Sequence, residues 1–145
     1  MSVAAEGLRG SCLCGAVAFV LTTPPLAMGM CHCGMCRKHH GSAFATFVQI
    51  RREGFQLLEG VEAVRVYASS PGVERHFCSG CGAKLLFATH DHPDRLWVAA
   101  GVLDDTPNLR PEYHVFVASK APWFTIHDQL PQHATYRAEA PNSGA

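Results

Sequence analysis

The chain has 145 residues, 48% hydrophobic and 17% charged, with 12 Lys and Arg set against 12 Asp and Glu. This is the composition of an ordinary globular domain long enough to bury a core, and it excludes an intrinsically disordered chain. The balanced charge gives no overall electrostatic pull toward nucleic acid or an anionic membrane, so nucleic acid is disfavoured as a partner and no membrane partner is expected.

The opening "MSVAAEGLRG" holds no apolar run of signal-peptide length, and its one basic residue, Arg9, comes late. No apolar run reaches the roughly 18 residues that a membrane helix needs. The expected setting is cytoplasmic and reducing. Residues 1–9 read as a disordered N-terminus and 138–145 as a flexible tail, around one domain spanning 10–137.

Within that domain the signal is β. "GAVAFVL" (15–21) is a first apolar run of strand length. A short helix is expected around residues 37–41, and "AFATFVQI" (43–50) follows as a strand. "VRVYA" (64–68) sets Val64, Val66 and Ala68 against Arg65 and Tyr67. "VERHF" (73–77) sets Val73, Arg75 and Phe77 against Glu74 and His76. "KLLFA" (84–88) and "RLWVAAGV" (95–102) are further short apolar runs. "YHVFVA" (113–118) alternates again and reads as a last strand, with His114 on the face opposite Val115 and Val117. Turn signals such as "TTPP", "SSPG", "SGCG" and "DDTPNLRP" punctuate the runs, and many short strands of this kind predict packed antiparallel sheets.

Seven cysteines fall into three clusters: Cys12 and Cys14 in "CLCG", Cys31, Cys33 and Cys36 in "CHCGMC", and Cys78 and Cys81 in "CSGCG". In a reducing compartment, clustered cysteines indicate metal or catalysis, and an odd number cannot all pair as disulfides. Two thiolates that must converge on one ion need a tight turn, for which a glycine of positive φ is suited. Gly15 and Gly82 stand directly after Cys14 and Cys81. Two pairs give a closed four-thiolate site and the trio an open one. Spacing also allows Cys12, Cys14, Cys31 and Cys33 to form one site, with Cys36, Cys78 and Cys81 left over. The trio could be closed by His32, His39, His40 or a remote histidine, or left open for a ligand. His32, lying between two ligand positions, is expected to point away from an ion.

The ordered segments "GSCLCGAVAF", "CHCGMCRKHHGSAFA", "SSPGVERHFCSGCGAKLLF", "DRLWVAAGVLDD" and "HVFVASKAPWFTI" carry the chain further. Over residues 10–131 it resembles the glutathione-dependent formaldehyde-activating enzyme family, the group that also includes centromere protein V. The resemblance implies a mainly β, Mss4-like fold of packed antiparallel sheets with zinc-binding cysteine knuckles. It implies two Zn²⁺ per chain: a structural zinc on Cys12, Cys14, Cys78 and Cys81, and a second, open zinc on Cys31, Cys33 and Cys36, which need be only partly occupied. The implied activity is that of a carbon–sulfur lyase condensing formaldehyde with glutathione to S-hydroxymethylglutathione, or acting on a related small thiol. Three thiolates on Zn²⁺ leave a net charge of −1, which favours holding a thiolate over polarising a carbonyl. The competing expectation is a non-catalytic module for protein interaction, in which both zincs are structural.

Around the trio, Arg37 and Lys38 could engage a carboxylate of a glutathione-like ligand. His114 could move a proton or support a ligand, and Lys120 could line a pocket, so Arg37, His114 and Lys120 are the catalytic candidates. Trp123 is expected in the core, and "HDHPD" (90–94) in a solvated loop.

Overall fold

The computed structural model describes residues 6–137. Of the expected end segments, 1–9 and 138–145, residues 1–5 and 138–145 lie outside the described residues. Among the described residues there are one short α-helix and ten strands, which form two sheets. The small sheet orders β1 (Leu8–Ser11), β2 (Ala18–Leu21) and β5 (Phe55–Glu59) as β1-β2-β5. The large sheet contains β3 (Ala27–Cys31), β4 (Ala45–Arg51), β6 (Val64–Ser70), β7 (Val73–Cys78), β8 (Lys84–Thr89), β9 (Arg95–Ala99) and β10 (His114–Val115). Its order is β10-β3-β4-β9-β8-β7-β6. Every pairing is antiparallel except β10 with β3, which is parallel. The expected mainly β fold of antiparallel sheets is therefore what the chain adopts. No helix among the described residues is long and apolar enough to cross a membrane.

Successive side chains of a strand point to opposite faces, and this divides the large sheet into two working surfaces. Val48 and Ile50 of β4, Leu86 and Ala88 of β8, and Leu96 and Val98 of β9 face the small sheet. There they bury against Phe19 and Leu21 of β2. Each fully buried aliphatic or aromatic side chain contributes about 1.5–3 kcal/mol, so this layer is the main source of stability. The intervening residues Phe47, Phe87 and Trp97 face the other way. With Ala45 they form a second apolar cluster that packs on Cys36 and touches Cys31 and Cys33. Phe87 stacks on Trp97 at 4.9 Å and meets Phe47 edge-on at 4.9 Å, which makes a firm floor for the cysteine trio.

Several expectations need correction. The N-terminal boundary lies earlier than residue 10, because β1 already pairs Leu8 with Leu21 and Arg9 with Val20. "LRGS" lacks the apolar alternation that would reveal a strand because Gly10 replaces a core side chain. A Cβ there would lie 2.2 Å from the Phe19 ring. β3 escaped notice for the same reason: the Tyr113 ring occupies the place beside Gly29, 2.3 Å from where a Cβ would stand. "YHVFVA" is not one strand. Only His114 and Val115 pair with β3, after which Phe116 turns to φ 58 and a 3₁₀ turn covers Val117–Ser119. The backbone N–H groups of His114, Phe116 and Val117 donate instead to the carbonyls of Pro131, Thr135 and His133. The returning chain thus replaces a neighbouring strand.

The helix, α1 (Gly34–His40), begins one turn earlier than the sequence suggests. Cys33 acts as its N-cap, its sulfur accepting from the Cys36 N–H at 3.3 Å, and Gly41 ends it in the left-handed region at φ 62. The glycines after the two paired clusters behave as expected, with φ 81 at Gly15 and φ 77 at Gly82. No heavy atom stands within 4 Å of a Cβ placed on Gly82, so backbone strain alone opposes substitution there. Gly82→Ala should lower unfolding free energy by about 1–2 kcal/mol, and Gly82→Asn by less, as read from denaturant midpoints. An unchanged midpoint in Gly82→Ala would show that the turn does not require left-handed backbone.

Candidate metal centres

The hairpin turns of the two sheets bring four thiols together. Cys12 and Cys14 come from the β1–β2 turn, Cys78 from the end of β7, and Cys81 from the β7–β8 turn. Their sulfurs all lie within 4.8 Å of one another. Cys12 Sγ is 3.6 Å from Cys14 Sγ, which is 3.8 Å from Cys78 Sγ. A tetrahedron with metal–sulfur bonds of about 2.3 Å has an S···S edge of about 3.8 Å, whereas a disulfide would need about 2.05 Å. All seven cysteines are free thiols. Backbone amides point at these sulfurs, Val17 N–H donating to Cys12 Sγ at 3.2 Å and Gly80 N–H to Cys78 Sγ at 3.3 Å. The donor set and its spacing fit a four-coordinate metal ion. Val17 and Leu85 bury Cys12 and Cys78 on the inner side.

The second group is Cys31 at the end of β3, with Cys33 and Cys36 at the start of α1, again within 4.8 Å. Hydrogen bonds from Cys31 and then Cys36 hold the Cys33 thiol down to about 2, with help from the Cys36 backbone N–H and the charge of Arg75. Contact with Cys33, then with Cys36, and burial push Cys31 far up. Three thiolates this close repel one another, so a cation beside them would be needed for all three to ionise. The trio therefore suits a metal ion as its donors stand.

No histidine among the described residues joins either group. His39 stands edge-on to Phe77 and His40 edge-on to Phe47, and burial pushes both rings down to about 4. Arg75, from β7, reaches Cys36 Sγ with both terminal nitrogens at 3.7 Å. Beside it runs a groove of about 500 Å³ lined by Met35, Lys38, His39, Tyr67 and Ser69. Lys38 thus sits at this groove, while Arg37, one position before it, leaves its Nε buried without a partner.

Arg37 is instead near His32, on the side of the loop away from the trio. His32 is fully buried and pointed away from the thiols, as its place between two ligand positions suggested. Its Nε2 lies 2.8 Å from His114 Nδ1, and His114 Nε2 lies 3.0 Å from an Asp128 carboxylate oxygen. Because a carboxylate only accepts, His114 carries its proton on Nε2 and accepts at Nδ1 from His32 Nε2–H. The Nδ1 of His32 is then a bare acceptor, buried with no partner. Burial is the main cause, helped by the charges of Lys120 and Arg37, and pushes His32 down to about 4, so the ring is neutral. The hydrogen bond from His114 holds Asp128 below the usual carboxylate range.

The three catalytic candidates from sequence, Arg37, His114 and Lys120, thus gather around His32 and not around the trio. Lys120 Nζ binds the carbonyls of Ala121 and Phe124. That turn buries Ala121 and leans Phe124 on Phe44 and His32, leaving Trp123 71% exposed instead of in the core. The "HDHPD" segment is a solvated loop, with His90, Asp91, Pro93 and Asp94 exposed. Sequence reasoning missed Arg75, Asp128 and the pairing of His32. A lone Arg on the inward-facing register of "VERHF" was the one available signal for Arg75, whereas nothing local marks Asp128.

Removing the acceptor of a fully buried N–H should be costly. His114→Ala is expected to lower unfolding free energy by about 1–3 kcal/mol or more, given the cavity it also leaves. Asp128→Asn, at a carboxylate 42% exposed, should cost less than His114→Ala. Urea unfolding of both variants checks the ranking, and equal losses would show that the chain of bonds is not anchored at its buried end.

Comparison with known proteins agrees with this architecture. The family model described as glutathione-dependent formaldehyde-activating enzyme matches residues 7–119. A protein of Halomonas elongata named "Putative glutathione-dependent formaldehyde-activating enzyme" is 31% identical over 130 residues, covering 84% of this chain and 82% of its own. An uncharacterized lyase of Schizosaccharomyces pombe is 28% identical over 132 residues, covering 84% of this chain and 93% of its own. The crystal structure of a Rhodobacter sphaeroides protein shares the fold, with TM-score 0.58 at 23% identity over 69% of this chain and 91% of that one. Taken with the two thiol groups, these matches establish that the chain belongs to the glutathione-dependent formaldehyde-activating enzyme family.

Proposed function

We propose that both thiol groups bind Zn²⁺, the four-thiol group as a closed structural site and the trio as an open one. On this reading the protein is a carbon–sulfur lyase that interconverts a small thiol such as glutathione, with formaldehyde, and its S-hydroxymethyl adduct. In the condensing direction the thiol sulfur bonds to the formaldehyde carbon, and the S–H proton ends on the former carbonyl oxygen. The observation that carries the reading is the trio itself, three converging thiols joined by no histidine among the described residues, with Arg75 linking Cys36 to a groove that also holds Lys38.

Zinc bound at the trio would supply a fourth position at which the ligand sulfur is kept as thiolate. The rest falls to this chain's own residues. Lys38, exposed on α1, can pair with a carboxylate of the ligand. Met35 and Tyr67 give the groove apolar walls against which a peptide-like ligand can lie. Phe47, Phe87 and Trp97 close the trio from behind and keep water off Cys36. Holding two small reactants side by side is the main contribution needed, because thiols add readily to formaldehyde. The family and the names of the two relatives support the reaction class. Seven free thiols are consistent with a reducing, cytoplasmic setting.

Metal analysis and Co²⁺ substitution test the proposal. Two zinc ions per chain are expected, and in the Co²⁺ form one of the two sets of bands should shift when glutathione is added. Cys78→Ser should abolish the cooperative thermal transition, because structural zinc contributes folding free energy directly. Cys36→Ser should stay folded and lose one metal and the glutathione response. Bands that ignore glutathione, together with equal damage from both substitutions, would favour a binding module with two structural zincs.

A further inference from the structure

We propose that Arg75 is a positioning residue that sets the charge at the cysteine trio and reserves its open position for an anionic sulfur ligand over a neutral one. The inference rests on the open-site reading above and deepens it.

Arg75 is 4% exposed, and its guanidinium stays charged at any physiological pH. A buried cation needs a counter-charge. Among the described residues no carboxylate lies within ion-pair distance of it, the two ion pairs being Arg95 with Asp94 and His114 with Asp128. Its nitrogens are committed elsewhere. Nε donates to Ser69 Oγ at 2.9 Å, both terminal nitrogens reach Cys36 Sγ at 3.7 Å, and the guanidinium lies 5.5 Å from the centre of the Phe87 ring. The counter-charge of Arg75 is therefore the trio. Ser69 and Phe87 fix the planar fork so that both arms meet one sulfur, a geometry lysine cannot copy.

The two thiol groups differ in this respect. Val17 and Gly80 present backbone amides to the four-thiol group, and among the described residues no cationic side chain is hydrogen-bonded to its sulfurs. A divalent ion with four thiolates carries −2, and water can solvate that charge through the exposed Cys14. At the trio, a divalent ion with three thiolates carries −1, and Arg75 brings the sum to zero. A thiolate in the open position returns the sum to −1; without Arg75 it would be −2 against the buried Cys36. A neutral ligand changes nothing in either case. Arg75 thus discriminates by ligand charge, and since it also lines the groove it does so where a ligand enters.

The test uses Co²⁺-loaded protein and two small probes, 2-mercaptoethanol, which binds as an uncharged molecule's thiolate and avoids Lys38, and imidazole, which binds neutral. Arg75→Met removes the charge and keeps bulk; Arg75→Lys keeps the charge and loses the fork. The expected result is a loss of 2-mercaptoethanol affinity of about tenfold or more in Arg75→Met, with imidazole affinity held within about twofold. Arg75→Lys should fall between that variant and the wild type. If Arg75→Met does not fold, the ratio of the two affinities in Arg75→Lys and Ser69→Ala should still shift against the thiol. Equal losses for both probes, or no loss for either, would overturn the proposal and leave Arg75 as a packing residue. Wild-type bands that respond to neither probe would overturn the open-site reading itself.

Discussion

The pleat of the seven-stranded sheet is the constraint on which the rest of the structure depends. Its strands point Val48, Ile50, Leu86 and Val98 at the small sheet, and so must point Phe47, Phe87 and Trp97 at the cysteine trio. A slip of one residue in any of these strands would exchange core for site. Because the core face buries Phe19 and Leu21, that slip is strongly opposed, and the site inherits its rigidity from hydrophobic packing on the far side of the sheet. Arg75 belongs to the same row, since β7 pairs it directly with Phe87 and β8 pairs Phe87 with Trp97.

Where the sheets meet at their ends, thiols take over from hydrophobic contact. The four-thiol group joins a hairpin of the small sheet to a hairpin of the large one, with Val17 and Leu85 packed beneath it. It closes a loop running from Cys12 to Cys81, about half of the chain. The trio closes nothing comparable, since Cys31 ends β3 and Cys33 and Cys36 lie in the turn and helix that follow it directly. A thiol group that spans distant hairpins can bear on folding, whereas one contained in a short stretch of chain can change its partners without loosening the fold. This difference supports the proposal that the two groups serve different tasks.

On the other side of the same turn, His32 ties the trio to the last part of the chain. Its bond to His114 and that of His114 to Asp128 draw residues 114 and 128 against β3, beside the parallel pairing of β10. Phe44 and Phe124 enclose the ring. The apolar alternation of "YHVFVA" suggested a full strand, but the backbone there needed partners on both sides, and only the returning segment 131–135 could supply the second set. Trp123 lies outside for a related reason, as Lys120 holds the turn so that Ala121 and Phe124 face inward.

Most strands, the metal-knuckle glycines and the grouping of cysteines into pairs and a trio were legible in the chain itself, because each depends on neighbours a few residues apart. The strand Leu8–Ser11 and the strand Ala27–Cys31 were hidden, since glycines at 10 and 29 stand where distant rings fill the space. Arg37, His114 and Lys120, named from sequence as catalytic candidates, have His32 as their common neighbour. Sequence by itself determined the donor chemistry and its spacing. Only tertiary structure decided which charges face those donors, because Arg75 lies 39 residues from Cys36, and His114 lies 82 residues from His32. Electrostatic partners act through distance in space, on which spacing along the chain places no constraint until the sheets have closed.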